Sequence, residues 1–299
     1  MKIFDCITYY DEELLFDLRC HQLNNYVDYF VVVEAKFTHS GKKKKLNFNI
    51  NNFSKFKDKI IYHVIENEPE DIVEIVQGTE IANKLPLIRI NGLKRIEQSY
   101  ECCLEAVDGM YSDNDYFMLS DSDEIPNIKN ETFLSNKSKV ILFEQDFFYY
   151  KFNLFYDLLP WYGTRACKFK NLISASWLRN TKHKLYPLWR LDTLFNRQKL
   201  MSLNIIKNGG WHFSNLKLLD DIISKLDNSG HQDEYLKNSN YYAEIKKMIE
   251  NKQVYYDHFV DKKTENKIRS KGYDLKKIKL ELLPDYIQIN KDKVSNFLD

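Results

Sequence analysis

The sequence predicts an α/β fold: a mostly parallel sheet flanked by helices, with a helical extension at the C-terminus. Three observations carry that prediction. Tyr29-Phe30-Val31-Val32-Val33 and Tyr116-Phe117-Met118-Leu119 are continuous apolar runs, the pattern of strands buried on both faces of a parallel sheet. A strand pattern at residues 3–8, a helical pattern and the Tyr29 run together make a strand-helix-strand unit. Between residues 93 and 107 apolar side chains recur at three- and four-residue steps, as in a helix that lays one face on such a sheet.

The elements follow in order. Asp11 stands where it would cap a helix whose Leu14, Leu15 and Leu18 turn inward, with Arg19 and His21 near its C-terminal end. Glu34 is the first polar residue after the Tyr29 run, and a right-handed crossover brings it to the same sheet edge as Thr8, Tyr9 and Tyr10. Thr38-His39-Ser40-Gly41 and the lysines at 42–45 form a loop, residues 60–65 a third strand, and residues 66–86 an acidic irregular stretch. In the helix that comes next, Leu93, Ile96, Tyr100, Cys103 and Val107 face the sheet, while Arg95 and Ser99 share the opposite face.

The Tyr116 strand runs into Ser120-Asp121-Ser122-Asp123-Glu124-Ile125-Pro126, and residues 140–150 read as a fifth strand that alternates from Glu144 and Asp146 onward. The aromatics crowding residues 147–162 are read mostly as core. Gly209-Gly210-Trp211-His212 pairs two glycines, which permit a tight turn or a close approach, with a ring and an imidazole. Ser214 caps a helix running to Lys225, a polar loop holds His231, Asp233 and Glu234, and Lys-rich helical segments run to Asp299.

A chain of 299 residues that is 43% hydrophobic can bury a large core. A formal charge of +1 gives no reason to expect nucleic acid as a partner. The lysines at 42–45 and at 262–279 are local patches, and the second suits peripheral contact with a membrane surface. The five cysteines lack any Cys-x-x-Cys spacing, so neither disulfides nor a structural zinc site is expected. Met1 leads almost directly into the first strand, without leader or a run of about 20 apolar residues, and the expected location is cytoplasmic, at most peripheral to a membrane.

Asp121-Ser122-Asp123 is the stretch that carries chemistry. Two carboxylates one residue apart, beyond the end of a buried strand, can hold a divalent cation from one side and leave its other face open to phosphate oxygens. The plainer reading is a solvated turn or a helix cap. A metal-dependent hydrolase or phosphodiesterase uses such pairs too, but His212 and His231 are few for a two-metal centre. A non-catalytic carbohydrate-binding protein is the other alternative.

Several stretches together resemble glycosyltransferase family 17. They are Asp5-Cys6 with Tyr10 and Glu12-Glu13; residues 27–34; Thr38-His39-Ser40-Gly41-Lys42; Ser120 to Pro126; Trp161-Tyr162-Gly163-Thr164; Gly209 to Ser214; and Leu283-Pro284-Asp285-Tyr286. The resemblance implies a GT-A-like (Rossmann-like) catalytic domain over residues 1–260, with the Lys-rich extension at 261–299 packed on it. It also implies a UDP-sugar donor (UDP-GlcNAc in this family), a divalent metal, Mn²⁺ or Mg²⁺, and inversion at the anomeric carbon; the expected acceptor, a glycan or lipid-linked glycan, is not fixed by it. Eukaryotic members carry a membrane anchor, and its absence here points to a bacterial or viral chain. An Arg often found in the helix before the acidic motif is Ser99 in this sequence, and Arg95 one turn earlier is its stand-in.

Roles follow from these expectations. Asp121 and Asp123 hold the metal, with His212 as a third metal or phosphate contact. Glu34 accepts the uracil N–H, Tyr9 or Tyr10 covers the base, and Thr8, Arg95, Asp121 and Trp211 complete the donor site. Glu234, followed by Asp146 and Asp221, is the candidate general base.

Overall fold

The structure is a computed structural model that describes residues 1–128, 133, 135, 137–183, 202–229, 233, 241–259 and 268–299. Its first half runs β1 (Ile3–Thr8), α1 (Glu13–Leu23), β2 (Tyr29–Ala35), a 3-10 stretch (Ile50–Lys59), β3 (Ile60–Ile65), α2 (Ile81–Glu105) and β4 (Tyr116–Asp121). β1 lies between β2 and β4, β3 pairs with β2, and all four strands are parallel. Their side chains alternate between two cores. Phe30, Val32 and Met118 pack with Phe16 of α1 and Phe53 of the 3-10 stretch. Val31, Val33 and Leu119 pack with Cys102 and Cys103 of α2. Burial on both faces is why these strands read as unbroken apolar runs.

The second half contributes β5 (Glu124–Pro126), β6 (Val140–Tyr149), β7 (Leu154–Phe155), β8 (Trp161–Lys168), α3 (Ala175–Asn180), β9 (Leu203–Ile206), β10 (Gly210–Ser214), α4 (Leu219–Asn228), α5 (Tyr241–Glu250), β11 (Gln253–Tyr256), β12 (Ile268–Asp274), β13 (Lys276–Lys277) and α6 (Asp285–Ile289). The large sheet has the order β13-β7-β6-β8-β4-β1-β2-β3. β8 enters antiparallel between β4 and β6, β9 and β10 run parallel to β6, and β10 also pairs antiparallel with β5. The result is a mixed α/β fold with a large, mostly parallel central sheet flanked by helices. No described helix is long and apolar enough to cross a membrane.

Four expectations change. α2 starts at Ile81 and carries Pro86 in its second turn, at the cost of one ladder bond. Between Leu93 and Ser99 the same helix is rotated from the expected facing: Arg95 and Ser99 are buried and Leu93 is exposed, while Cys103 and Val107 meet the sheet as expected. Neither cap forms as expected. Asp11 pairs with Lys217, Ser214 belongs to β10, and α4 begins after Leu218. The described part of the C-terminal extension is two strands, the five-residue helix α6 and short 3-10 turns rather than a run of helices. Lysine favours helix only weakly, and pairing with neighbours decides otherwise: β12 pairs with β11, and β13 extends the large sheet through β7. Leu283, Tyr286 and Ile287 share a core with Leu15, Leu18 and Phe213, so this segment packs on the rest of the chain.

Candidate active site

A cleft of about 950 Å³ opens where β1, β2 and β4 end, at Thr8, Val33, Ala35 and Asp121. Open α/β sheets take their ligands at that edge. Leu93, Ile96 and Tyr100 of α2 form one wall, Phe147, Trp161 and Tyr162 belong to another, and Arg165, Arg179 and Lys225 supply cations.

The acidic turn is fixed from beneath. Arg19 and Asp5 have fully buried side chains, and the guanidinium meets the carboxylate through Nε at 2.6 Å and Nη2 at 2.5 Å. The same guanidinium donates from Nη1 to the Glu124 carbonyl at 2.6 Å and from Nη2 to Ser120 Oγ at 2.8 Å. α1 and β1 thus grip both ends of the turn. Glu124 closes it from the other side, accepting from the Asp121 N–H at 3.0 Å, Trp161 Nε1 at 2.7 Å and two nitrogens of Arg179 at 2.7 and 2.8 Å. Fully buried and so occupied, Glu124 is a structural carboxylate rather than part of an open acidic triplet.

Asp121 and Asp123 both line the cleft, each with a cation against it. Asp121 accepts from Arg179 Nη2 and, at 3.1 Å, from the Tyr100 hydroxyl. Burial raises its carboxyl; Arg179 lowers it, Glu124 and Asp123 raise it again, and the net shift is upward. Glu124 goes the other way: burial would raise it, but the charge and hydrogen bonds of Arg179 bring it down. Asp123 lies 3.3 Å from His212 Nε2 and 3.7 Å from Lys225 Nζ. Burial opposes its ionisation, yet His212, then Lys225 and Arg179, hold its carboxyl far below the usual range.

Arg165 and Arg179 stand side by side, sharing the carbonyl of Gly163 at 2.5 and 3.1 Å. Arg165 also donates to the Thr181 carbonyl at 3.1 Å, and burial followed by the charge of Arg179 pushes its guanidinium down to about 10. Gly163 is close-packed. A Cβ there would lie 2.0 Å from Gln145 Oε1 and 2.8 Å from both Glu124 Cδ and Trp161 Cδ1. We expect Gly163→Ala to cost about 1–3 kcal/mol and to lower turnover by displacing Glu124. Wild-type melting together with wild-type turnover would mean that the wall has room to spare.

The cleft brings together Thr8, Tyr9, Tyr10, Asp121 and Asp123. Tyr9 is mostly core, edge-on to Phe16 and Phe48, whereas Tyr10 is half-buried with Lys44 Nζ 5.2 Å from its ring centre. Glu34 is not available to a base. Its four lone-pair sites are matched by Lys44, the N–H groups of Asn47 and Phe48 at 2.8 and 3.0 Å, and the Tyr62 hydroxyl at 2.9 Å. Arg95 is likewise committed, to Glu68 at 2.6 Å and the His39 carbonyl at 3.1 Å, which the rotation of α2 explains.

Trp211 points away because neighbours along a strand face opposite sides of the sheet. It packs against the core of Leu15, Phe148 and Phe213, while His212 stacks between Phe147 and Trp161 at 4.7 and 4.4 Å. The same alternation sends Asp146 out to solvent and Phe147 into the cleft. Asp221 is exposed one turn before Lys225 and does not line the cleft. Glu234 lies outside the described residues.

The oxygen donors of Asp121 and Asp123 suit a hard divalent cation, which would take the places that Arg179 and Lys225 hold against them. His212 does not complete a three-ligand set. Among the described residues, the three side chains that bring His, Cys or carboxylate donors within 4.8 Å of one another are His63, Cys102 and Glu105, on β3 and α2. The imidazole of His212 instead spends Nε2 on Asp123.

Sequence reading missed Arg19, Arg165, Arg179 and Lys225 as members of the site. Arg165 directly follows Trp161-Tyr162-Gly163-Thr164, so that stretch was the available signal; nothing local marks Arg179 or Arg19.

The profile described as Glycosyltransferase family 17 matches residues 1–298. No curated protein matches the chain. Among solved structures, a protein from Desulfovibrio desulfuricans G20 described as a nucleotide-diphospho-sugar transferase is similar at 7% identity and a TM-score of 0.33, over 81% of this chain and 97% of that one. HddC from Yersinia pseudotuberculosis, complexed with GMP-PN, is similar at 12% identity and a TM-score of 0.31, over 69% of this chain and 90% of its own.

Proposed function

The chain belongs to glycosyltransferase family 17, and from that premise we propose that it moves a sugar, GlcNAc first among candidates, from a UDP-sugar to a glycan hydroxyl with inversion, on a GT-A-like catalytic domain. As a glycosyltransferase it takes a nucleotide-sugar donor and an acceptor. The observation that carries the finer reading is the pair Asp121 and Asp123, one the last residue of a buried parallel strand and the other two residues on, facing a cleft that also holds Arg165, Arg179 and Lys225.

Departure of a nucleoside diphosphate needs its charge neutralised, and the acceptor hydroxyl must lose a proton as the new bond forms. Mn²⁺ or Mg²⁺ held by Asp121 and Asp123 would supply positive charge against the leaving diphosphate. Thr8 and the Tyr10 ring, at the β1 end of the cleft, suit the nucleoside. Trp161 and Tyr162 offer rings on which a sugar can stack.

Glu12 and Glu97 also line the cleft, and with Glu234 they are the carboxylates we put forward as general base. Glu12 is the better oriented of the first two, since the N–H groups of Tyr10 and Asp11 fix its Oε2 at 3.0 and 3.1 Å. An acceptor on a membrane-borne carrier fits the Lys-rich C-terminal region.

Calorimetry with a panel of UDP- and GDP-sugars, each with and without Mn²⁺, tests the reading. We expect metal-dependent binding of a UDP-sugar, UDP-GlcNAc first. Absence of binding by any nucleotide sugar to the folded chain, with or without metal, would overturn it.

A further inference from the structure

The two arginines side by side on one carbonyl need an explanation, because like charges in a wall of low dielectric repel. Asp121 and Glu124 compensate Arg179 directly. Arg165 has no carboxylate within ion-pair reach among the described residues; its guanidinium donates to the carbonyls of Gly163 and Thr181. It lines the cleft all the same. Ser176, three residues before Arg179 on α3, lines it too, and its buried Oγ has no hydrogen-bond partner. A guanidinium with no carboxylate in ion-pair contact and a hydroxyl without a partner share one wall.

Local charge points the same way. The carboxylates of Asp121, Asp123 and Glu124 are matched in number by the cations of Arg165, Arg179 and Lys225. A doubly charged diphosphate arriving with a divalent cation leaves that balance intact. The pairing must then be exchanged: a cation on Asp121 displaces Arg179 Nη2 from it, leaving Arg179 with Glu124 and one of its two carboxylate partners to replace.

We propose that Arg165, Arg179 and Ser176 form the clamp for the donor's diphosphate, with Arg179 exchanging Asp121 for a phosphate oxygen when the donor binds. This rests on the transferase reading above. Arg165 supplies the fixed cation, held by two carbonyls, and Arg179 the one that moves. Fork-shaped guanidinium donors suit paired phosphate oxygens in a way that an ammonium group does not.

The test compares UDP and GDP with uridine and guanosine by calorimetry in Mn²⁺, on wild type, Arg165→Gln, Arg165→Lys and Ser176→Ala. For whichever diphosphate the wild type binds, we expect Arg165→Gln to weaken it roughly 10- to 100-fold, with the parent nucleoside unchanged. Arg165→Lys should fall between, and Ser176→Ala, which removes only an unpartnered hydroxyl, should weaken the diphosphate by a few-fold at wild-type Tm. Diphosphate binding within twofold of wild type in both Arg165→Gln and Ser176→Ala overturns the clamp and leaves the transferase reading standing. So does an equal loss for nucleoside and diphosphate. A wild type that binds neither diphosphate removes both.

Discussion

Asp123→Asn is expected to reduce sugar transfer to below about one part in 10³ and to abolish the metal-dependent part of donor binding. The substitution keeps the size of the side chain and removes its charge. That charge is strongly committed in the folded chain: His212 and Lys225 lie against it and hold its carboxyl down despite burial. An amide oxygen can still ligate a hard cation, but it brings none of the negative charge that holds the ion there. The loss of several kcal/mol of charge stabilisation at the leaving diphosphate corresponds to about 10³-fold or more in rate. Turnover and Tm are measured together, because removing Asp123 also leaves Lys225 without its partner. Transfer within tenfold of wild type, in a protein that melts normally, would exclude Asp123 from the metal site.

Arg19→Met should cost about 3–5 kcal/mol of stability, the largest effect expected of any single change outside the cleft. Arg19 and Asp5 are both fully buried, and removing the guanidinium strands the Asp5 carboxylate in the core. It also takes a donor from Ser120 Oγ and from the Glu124 carbonyl. A fall in Tm on the order of 5–10 °C is the corresponding readout. The double variant Asp5→Leu/Arg19→Met separates the causes. Partial recovery identifies the uncompensated charge as the main loss, whereas no recovery points to the two bonds that hold the acidic turn. A single variant within about 1 kcal/mol of wild type would show the pair to be dispensable.

The parallel half of the sheet was legible because burial on both faces leaves continuous apolar runs at β2 and β4, and the acidic turn because it follows such a run directly. The rotation of α2 was not. Periodicity locates an apolar stripe but does not say whether it faces the sheet or the wall of a cleft, and here Leu93, Ile96 and Tyr100 do the latter. Glu34 looked free for the same reason that any strand-end carboxylate does; three of its four donors come from residues 44–48, in a loop with no readable geometry. Trp211 and Asp146 were misplaced by a single step of strand alternation, which the register of β10 on β6 decides. Of the cationic half of the cleft, only Arg165 had a signal, the Trp161–Thr164 stretch just before it. Arg165 and Arg179 meet through a shared carbonyl, and a backbone acceptor leaves no mark in the sequence.

The bonds of Arg19 differ in reach along the chain. Its ion pair with Asp5 closes over 14 residues, whereas its bonds to Ser120 and Glu124 span 101 and 105. Closing the longer loops costs about 2 kcal/mol more, at about 0.6 kcal/mol per doubling of length. The short link belongs to the first βα unit and can survive a partial opening; the long ones disappear as soon as β4 and β5 leave their places. The frame of the acidic turn therefore joins the first βα unit to the β4–β5 segment, and it stands only while both keep their places in the sheet.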